Sequence, residues 1–276
     1  MFLGLESEYS DFKIEFSAYA ENYFHIREKM MPSILNESIR YSFDSGGKRF
    51  RPFLSYLISK AFNVDTKKIM SLALATEFIH TYSLIHDDLP CMDNDDLRRG
   101  QPTNHKKFGA DIALLAGDAL QAEAFWCLAN DVENSAEQKI KVIQLFSNYI
   151  GAAGMVGGQI LDMRALSEIT LDHLENIHRR KTGDLISTAV LGAAIFCDIR
   201  NISDLSIFSE NLGLAFQIKD DLLDGLDGAQ DHKSYLKILG TQKTVDKLKL
   251  HSDLASAAVT SDLLKRIVNF NFLREK

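Results

Sequence analysis

Apolar residues recur at helical spacing along almost the whole chain. Between residues 11 and 42 they fall at Phe12, Phe16, Tyr19, Tyr23 and Ile26, then at Ile34, Leu35 and Ile39, with Pro32 placed to start or kink a helix. Residues 53–63 and 67–88 read as two further helices, the second apolar through Leu72, Leu74, Ala75, Phe78, Ile79, Tyr82, Leu84 and Ile85. Residues 110–130 repeat the pattern, with Trp126 in a core or interface. A polar linker over residues 130–137 leads to a helix ending near Ile150, and Thr170 caps the next. That helix passes through Arg179-Arg180-Lys181-Thr182-Gly183-Asp184 into an apolar run over residues 185–196. A basic cluster and then a glycine inside such a helix suggest a kink that exposes backbone carbonyls. Residues 201–224 and the stretch to about Phe272 add more helices. No repeat, linker or low-complexity segment divides the chain. The expectation is an all-α fold in a single domain, residues 1–276.

Composition narrows the class. The chain has 276 residues, 46% hydrophobic and 25% charged, enough for one large core or two domains. Only four prolines and sixteen glycines interrupt it, which permits long helices. A formal net charge of −7 argues against a nucleic-acid partner, so local Lys/Arg clusters read as substrate contacts. Cys91, Cys127 and Cys197 match no metal-binding spacing, and a reduced, cytoplasmic protein is expected. The first ten residues carry acidic side chains and no apolar signal core. No run of about 18 apolar residues suggests a membrane span.

The chemistry concentrates in two acidic clusters. Asp87-Asp88-Leu89-Pro90-Cys91-Met92-Asp93-Asn94-Asp95-Asp96 places five aspartates within ten positions, and Leu97-Arg98-Arg99-Gly100 follows at once. Like charges this dense repel one another, so folding alone would not select them. Hard oxygen ligands beside forked cations suit a site where Mg²⁺ bridges carboxylates to a phosphate-bearing substrate. A regular helix would put Asp93 roughly 120° around from Asp87. Pro90 removes a helical donor and lets the chain turn so that Asp93 returns toward Asp87. Asp95 and Asp96 are read as solvated or as orienting the arginines. In the second cluster, Asp220 and Asp224 lie four residues apart, about 6 Å on one helix face, with Asp221 beside them.

A basic stretch, Ser45-Gly46-Gly47-Lys48-Arg49-Phe50-Arg51-Pro52, supplies a complementary site. Its glycines free the backbone for close approach to a ligand, and Lys48 and Arg51 can converge on one anion. A solvated basic helix start is the plainer reading. Likewise His80 alone reads as a core histidine and His86 as structural. The stretch Gly151-Ala152-Ala153-Gly154-Met155-Val156-Gly157-Gly158-Gln159-Ile160-Leu161-Asp162 is small and flexible enough for close helix packing.

Taken together, Asp-Asp-x4-Asp with Arg-Arg-Gly behind it, the distant Asp-Asp-x-x-Asp and Gly-Gly-Lys-Arg-x-Arg-Pro resemble the trans-isoprenyl diphosphate synthases. The resemblance runs from about residue 40 to the C-terminus. It implies that Asp87, Asp88, Asp93, Asp220, Asp221 and Asp224 form the metal clusters, with three Mg²⁺ ions shared by Asp87, Asp93 and Asp220. It implies that Gly47, Lys48, Arg51, His80 and Arg99 bind isopentenyl diphosphate, and that Arg98, Lys181 and Lys233 bind the allylic diphosphate. Thr182 and Gln217 would flank the allylic cation, and Gln159 and Asp162 would line the cavity floor or its polar wall. A homodimer is also implied.

Ionisation of the allylic substrate, attack by the isopentenyl double bond and proton loss to the released diphosphate follow as the expected chemistry. Tyr82 lies roughly 7.5 Å deeper along the helix than Asp87, where a bulky ring should stop a growing chain. In the family an aromatic there goes with a fifteen-carbon product, so Tyr82 with Ser83 favours farnesyl over geranylgeranyl diphosphate. The loop after Asp224, residues 225–232, is shorter than in most relatives, which bears on lid closure. A non-catalytic regulatory subunit would normally lose an aspartate cluster, and a terpene cyclase would not need Lys48, Arg51 and His80.

Overall fold

Helix follows helix in the computed structural model, which describes residues 2–165, 169–226 and 233–275. The loop after the second aspartate cluster, residues 227–232, lies outside the described residues. The elements in order are α1 (Glu6–Arg27), a 3₁₀ turn (Glu28–Met30), α2 (Ser33–Asp44), α3 (Phe50–Ala61) and α4 (Lys67–Asp87). A two-residue hairpin follows, β1 (Leu97–Arg98) and β2 (Gln101–Pro102), then α5 (Asn104–Phe108), α6 (Ala110–Ala129) and α7 (Ala136–Ile150). The chain continues through α8 (Met155–Arg164), α9 (Leu171–His178), a π-helical turn (Arg179–Gly183) and α10 (Asp184–Phe196). It closes with α11 (Ser203–Leu226), α12 (Tyr235–Leu239), α13 (Thr241–Ala257) and α14 (Asp262–Leu273). The fold is all-α, as expected, with that one hairpin among the described residues.

Helix α4 is the axis of the bundle. Almost every residue from Ile69 to Ile79 is buried, which is the behaviour of a helix apolar on all sides. It packs against α3, α6 and α10, and α10 in turn packs on α11. Pro32 caps α2 rather than kinking a longer helix, because its fixed φ suits an entry position. Pro52 sits in the first turn of α3, where its missing N–H removes no helical bond. A buried ionic knot ties α1 to α6: Glu123 accepts from Tyr23 Oη at 2.5 Å and from both Arg27 Nε at 2.9 Å and Nη2 at 2.5 Å. By length and composition α6 could also cross a membrane. In this fold its Ala113, Ala116, Gly117, Leu120 and Ala124 are core positions.

The kink expected at Gly183 is a π-turn, held from two sides by close backbone contact. A Cβ added to Gly213 on α11 would lie 2.9 Å from Gly183 Cα. One added to Gly158 on α8 would lie 2.9 Å from Arg180 C and closer still to Lys181 N. The glycines of the 151–158 stretch therefore serve tight packing at Gly158. Gly158→Ala should drive α8 from the π-turn and destabilise the protein by about 1–3 kcal/mol. An unchanged urea midpoint for that variant would contradict this packing.

Candidate active site

The first aspartate turn is built by backbone hydrogen bonds. α4 stops at Asp87, and Met92 N then donates to Leu89 O at 2.8 Å while Asp93 N donates back to Asp87 O at 2.9 Å. Asn94, at φ 54, completes the reversal. Pro90 thus does what its chemistry requires, and Asp93 comes back to Asp87. Burial pushes the Asp87 carboxyl up to about 6, opposed by the Lys181 ammonium and reinforced by Asp93. Gln159 Nε2 donates to Asp87 Oδ1 at 3.0 Å. Its Oε1 is buried without a hydrogen-bond partner among the described residues.

The hairpin separates the two adjacent arginines. Arg99 and Gly100 form its turn at φ 54 and 78, a two-residue connection needing positive φ at both positions. Arg98 goes to Asp88, donating Nε at 2.8 Å and Nη2 at 2.6 Å to Oδ1. Asp88 is 2% exposed, so its carboxylate serves as the buried partner of Arg98 rather than as an open ligand. Arg99 instead reaches the glycine loop, where Nη1 donates to Gly46 O. Gly47 has φ 124, and a Cβ there would meet the Arg99 guanidinium at 2.8 Å. Both the backbone conformation and the contact require glycine. Asp96 takes Lys106 at 2.7 Å, at the surface.

Gly47, Lys48, Arg51, His80 and Arg99 line one cavity of about 390 Å³. Burial lowers the Arg51 and Lys48 pKa values, and Arg274 beside Lys48 adds to the effect. Arg51 Nε has no hydrogen-bond partner among the described residues. Burial, with Arg51 and Arg99 close by, holds the His80 imidazole well below its ordinary pKa, so it is neutral at pH 7. A cavity lined by Lys48, Arg49, Arg51, Arg99 and Arg274, in which Arg51 Nε is unpartnered among the described residues, is a receptor for a polyanion.

A second cavity, of about 380 Å³, shares Arg51 and His80 with the first. Its lining combines the polar Asp87, Gln159, Lys181 and Thr182 with Tyr82, Met155 and Ile160. Ser83 also lines it. Tyr82 is 5% exposed, its ring edge-on to His86 at 5.6 Å. His86 in turn bonds Leu114 O at 3.0 Å, over the space left by Gly117.

The π-turn aims its side chains in sequence. Lys181 Nζ donates to Asp162 Oδ2 at 2.6 Å, and Thr182 Oγ1 donates to Gln217 Oε1 at 2.9 Å. Lys233 reaches the same Asp162, at 3.4 Å from Oδ1. Burial alone would raise the Asp162 carboxyl, but the bonded Lys181 and Lys233 hold it below the usual range. On α11, one turn past Gln217, the second cluster splits as the first does. Asp221 is buried and accepts from Tyr235 N at 2.7 Å, anchoring α12. Asp220 accepts from Arg274 Nη2 at 2.6 Å, and Asp224 is exposed.

Asp87 and Asp93, with the orphaned Gln159 oxygen beside Asp87, and separately Asp220 and Asp224 on α11, are hard oxygen donors of the kind a divalent cation takes. No three His, Cys, Asp or Glu side chains among the described residues already enclose a metal ion. Mg²⁺ characteristically takes one or two carboxylates and completes its shell with water and substrate phosphate, so neither pair would have to enclose the ion by itself.

Sequence reasoning missed Arg274 and Glu77, both of which line the basic cavity. Arg274 carried no signal, being one arginine in the C-terminal stretch. Glu77 did carry one: it is the lone charge within the apolar run of α4, three residues before His80.

The family profile described as Polyprenyl synthetase matches residues 32–247. The chain is similar to farnesyl diphosphate synthase of Bacillus subtilis (strain 168), 42% identical over 238 residues that cover 80% of each chain. It is also similar to a chloroplastic geranylgeranyl pyrophosphate synthase of Catharanthus roseus, 44% identical over 230 residues, 77% of this chain and 64% of that one. Among solved structures, an apo FPP/GFPP synthase from Zymomonas mobilis aligns with a TM-score of 0.83 at 34% identity, covering 95% of this chain and 99% of that one. The chain belongs to the polyprenyl synthetase family and is a prenyltransferase.

Proposed function

We propose that the protein condenses isopentenyl diphosphate with dimethylallyl and then geranyl diphosphate to give farnesyl diphosphate. The observation that carries this reading is the pair of cavities meeting at Arg51 and His80. One is dominated by cations, Lys48, Arg49, Arg51, Arg99 and Arg274, with the neutral His80 imidazole among them. The other combines the Asp87 carboxylate and Lys181 with a largely apolar lining that includes Leu84, Met155, Ile160 and Met163. Two diphosphates held on either side of that shared wall bring an allylic carbon and a double bond together.

Lys48, Arg51, Arg99 and His80 hold the isopentenyl diphosphate. Lys181, Lys233 and Arg98 gather the allylic diphosphate. Mg²⁺, three ions per site held chiefly by Asp87, Asp93 and Asp220, would neutralise charge on the leaving diphosphate. Asp88 and Asp221 act beside them by fixing Arg98 and α12, and Asp224 completes the second cluster. The allylic C–O bond breaks with its electron pair leaving on the diphosphate. Thr182 Oγ1 and the Gln217 amide face the cation that remains. The isopentenyl double bond attacks it, a C–C bond forms, and a proton passes to the released diphosphate. The apolar walls exclude the water that would quench the cation.

Product length is the point on which the relatives differ, so it must come from the cavity. The Tyr82 ring, braced by His86, blocks the apolar end beside Ser83 and favours fifteen carbons. We place the whole chain, read as one domain, in the cytoplasm as a homodimer. The outer face of α6, where Leu114 and Leu115 are 46% and 55% exposed, is the surface for the second copy.

Purified protein with Mg²⁺ and labelled isopentenyl diphosphate should give a fifteen-carbon product from either primer. No incorporation by folded protein would sink the reading. Chelation by EDTA should lower turnover by at least roughly 100-fold, with recovery on adding Mg²⁺; metal-independent turnover would contradict the aspartate assignment. Tyr82→Ala should shift the product to twenty carbons or more. An unchanged fifteen-carbon product from that variant would overturn the role of Tyr82.

A further inference from the structure

We propose that Glu77 is a positioning residue for the isopentenyl diphosphate cavity, acting through Arg49 to hold Lys48 and Arg51 toward the substrate. The inference rests on the assignment of that cavity to isopentenyl diphosphate. Glu77 is 3% exposed in the middle of the apolar run of α4, where an unpaired carboxylate would not persist. Its partner is Arg49 Nη1 at 2.5 Å. The other end of that guanidinium donates to Phe43 O, and its plane lies over the Phe43 ring at 4.5 Å. Arg49 is therefore engaged on three sides. It lines the cavity beside Lys48 and Arg51, but its guanidinium is taken up by Glu77 and Phe43.

The backbone explains why such an anchor is needed. Gly46, Gly47 and Arg49 all have positive φ, at 92, 124 and 48. For Arg49 this left-handed conformation is unfavourable without outside support. Tyr9 Oη donates to Lys48 O at 3.1 Å and Arg99 donates to Gly46 O, so the loop is clamped from outside as well. Glu77 is the clamp from within. Its charge also acts favourably on Arg51 and Arg99, both of which it helps keep protonated despite burial. One carboxylate thus relieves repulsion among three guanidinium groups before any diphosphate arrives.

The test is calorimetric binding of isopentenyl diphosphate to the full chain in metal-free buffer, since fixed cations line this cavity. Wild type, Glu77→Gln, Arg49→Gln and the double variant are compared, with folding checked by circular dichroism. Each single substitution should weaken binding by roughly tenfold or more, and the double variant should bind no worse than the weaker single. In the Mg²⁺ assay KM for isopentenyl diphosphate should rise by a similar factor, while KM for geranyl diphosphate stays within about threefold. For Glu77→Gln a simple charge effect has the opposite sign, because removing a carboxylate near the diphosphate tightens binding; for Arg49→Gln it has the same sign, so Glu77→Gln and the charge-conserving Arg49→Lys separate positioning from charge. Unchanged or tighter binding by folded Glu77→Gln, or additive losses in the double variant, overturns the proposal. Should Glu77→Gln fail to fold, Arg49→Lys decides: it keeps both charges and loses only the fork. A roughly tenfold loss there supports the positioning role, and unchanged affinity overturns it. Wild type that fails to bind isopentenyl diphosphate overturns the cavity assignment itself.

Discussion

Charge confined away from water is the constraint on which the rest of this structure depends. The site gathers carboxylates, guanidinium groups and ammonium groups into two adjoining cavities, where like charges repel far more strongly than in water. Several charges in and around them are held by an opposite charge from another part of the chain. Asp88 holds Arg98, Asp162 holds Lys181 and Lys233, Asp220 holds Arg274, and Glu77 holds Arg49. Such pairs stabilise little by themselves, since desolvation offsets much of the attraction. Breaking one without replacing it is costly. A substrate or cation that offers the same charge can replace a partner at small net change, which is how a charged site stays ordered and still exchanges ligands.

The bundle is what makes these pairs geometrically possible. The Asp162 pairs join α8 to the π-turn and to the segment leading into α12, while Asp220–Arg274 joins α11 to the C-terminus. Rigid helices fix the distances, and glycines at Gly158 and Gly213 let three backbones close around the turn that carries Lys181 and Thr182. Helical periodicity was enough to read α4, α6 and α11 from the sequence, because burial on one or all sides leaves a regular apolar pattern. The start of α1 at Glu6 was not readable, since that first turn mixes acidic and apolar residues. Nor was the hairpin at Leu97–Pro102, which is too short to show alternation. The π-turn was legible only as a kink, because its form is set by contacts with α8 and α11.

Residue types in the site were more legible than their partners. Aspartate spacing and Pro90 gave the return of Asp93 to Asp87, which is a local matter of backbone hydrogen bonds. Which aspartates face inward was not local. Asp88 and Asp221 look equivalent to Asp87 and Asp220 in sequence, yet one is buried against Arg98 and the other against the start of α12. Arg274 meets Asp220 across 54 residues, a pairing no motif records. The adjacent Arg98 and Arg99 part company because a positive-φ turn lies between their directions.

If the ion pairs are placeholders, a crystal structure with Mg²⁺, isopentenyl diphosphate and a non-ionising thio-analogue of geranyl diphosphate must show the exchange. The isopentenyl diphosphate should lie against Lys48, Arg51, His80 and Arg99, and the analogue in the neighbouring cavity. Lys181 and Lys233 should have left Asp162 for the analogue's diphosphate. Both diphosphates in one cavity, or lysines still bonded to Asp162 with the analogue bound, would contradict this reading of the site.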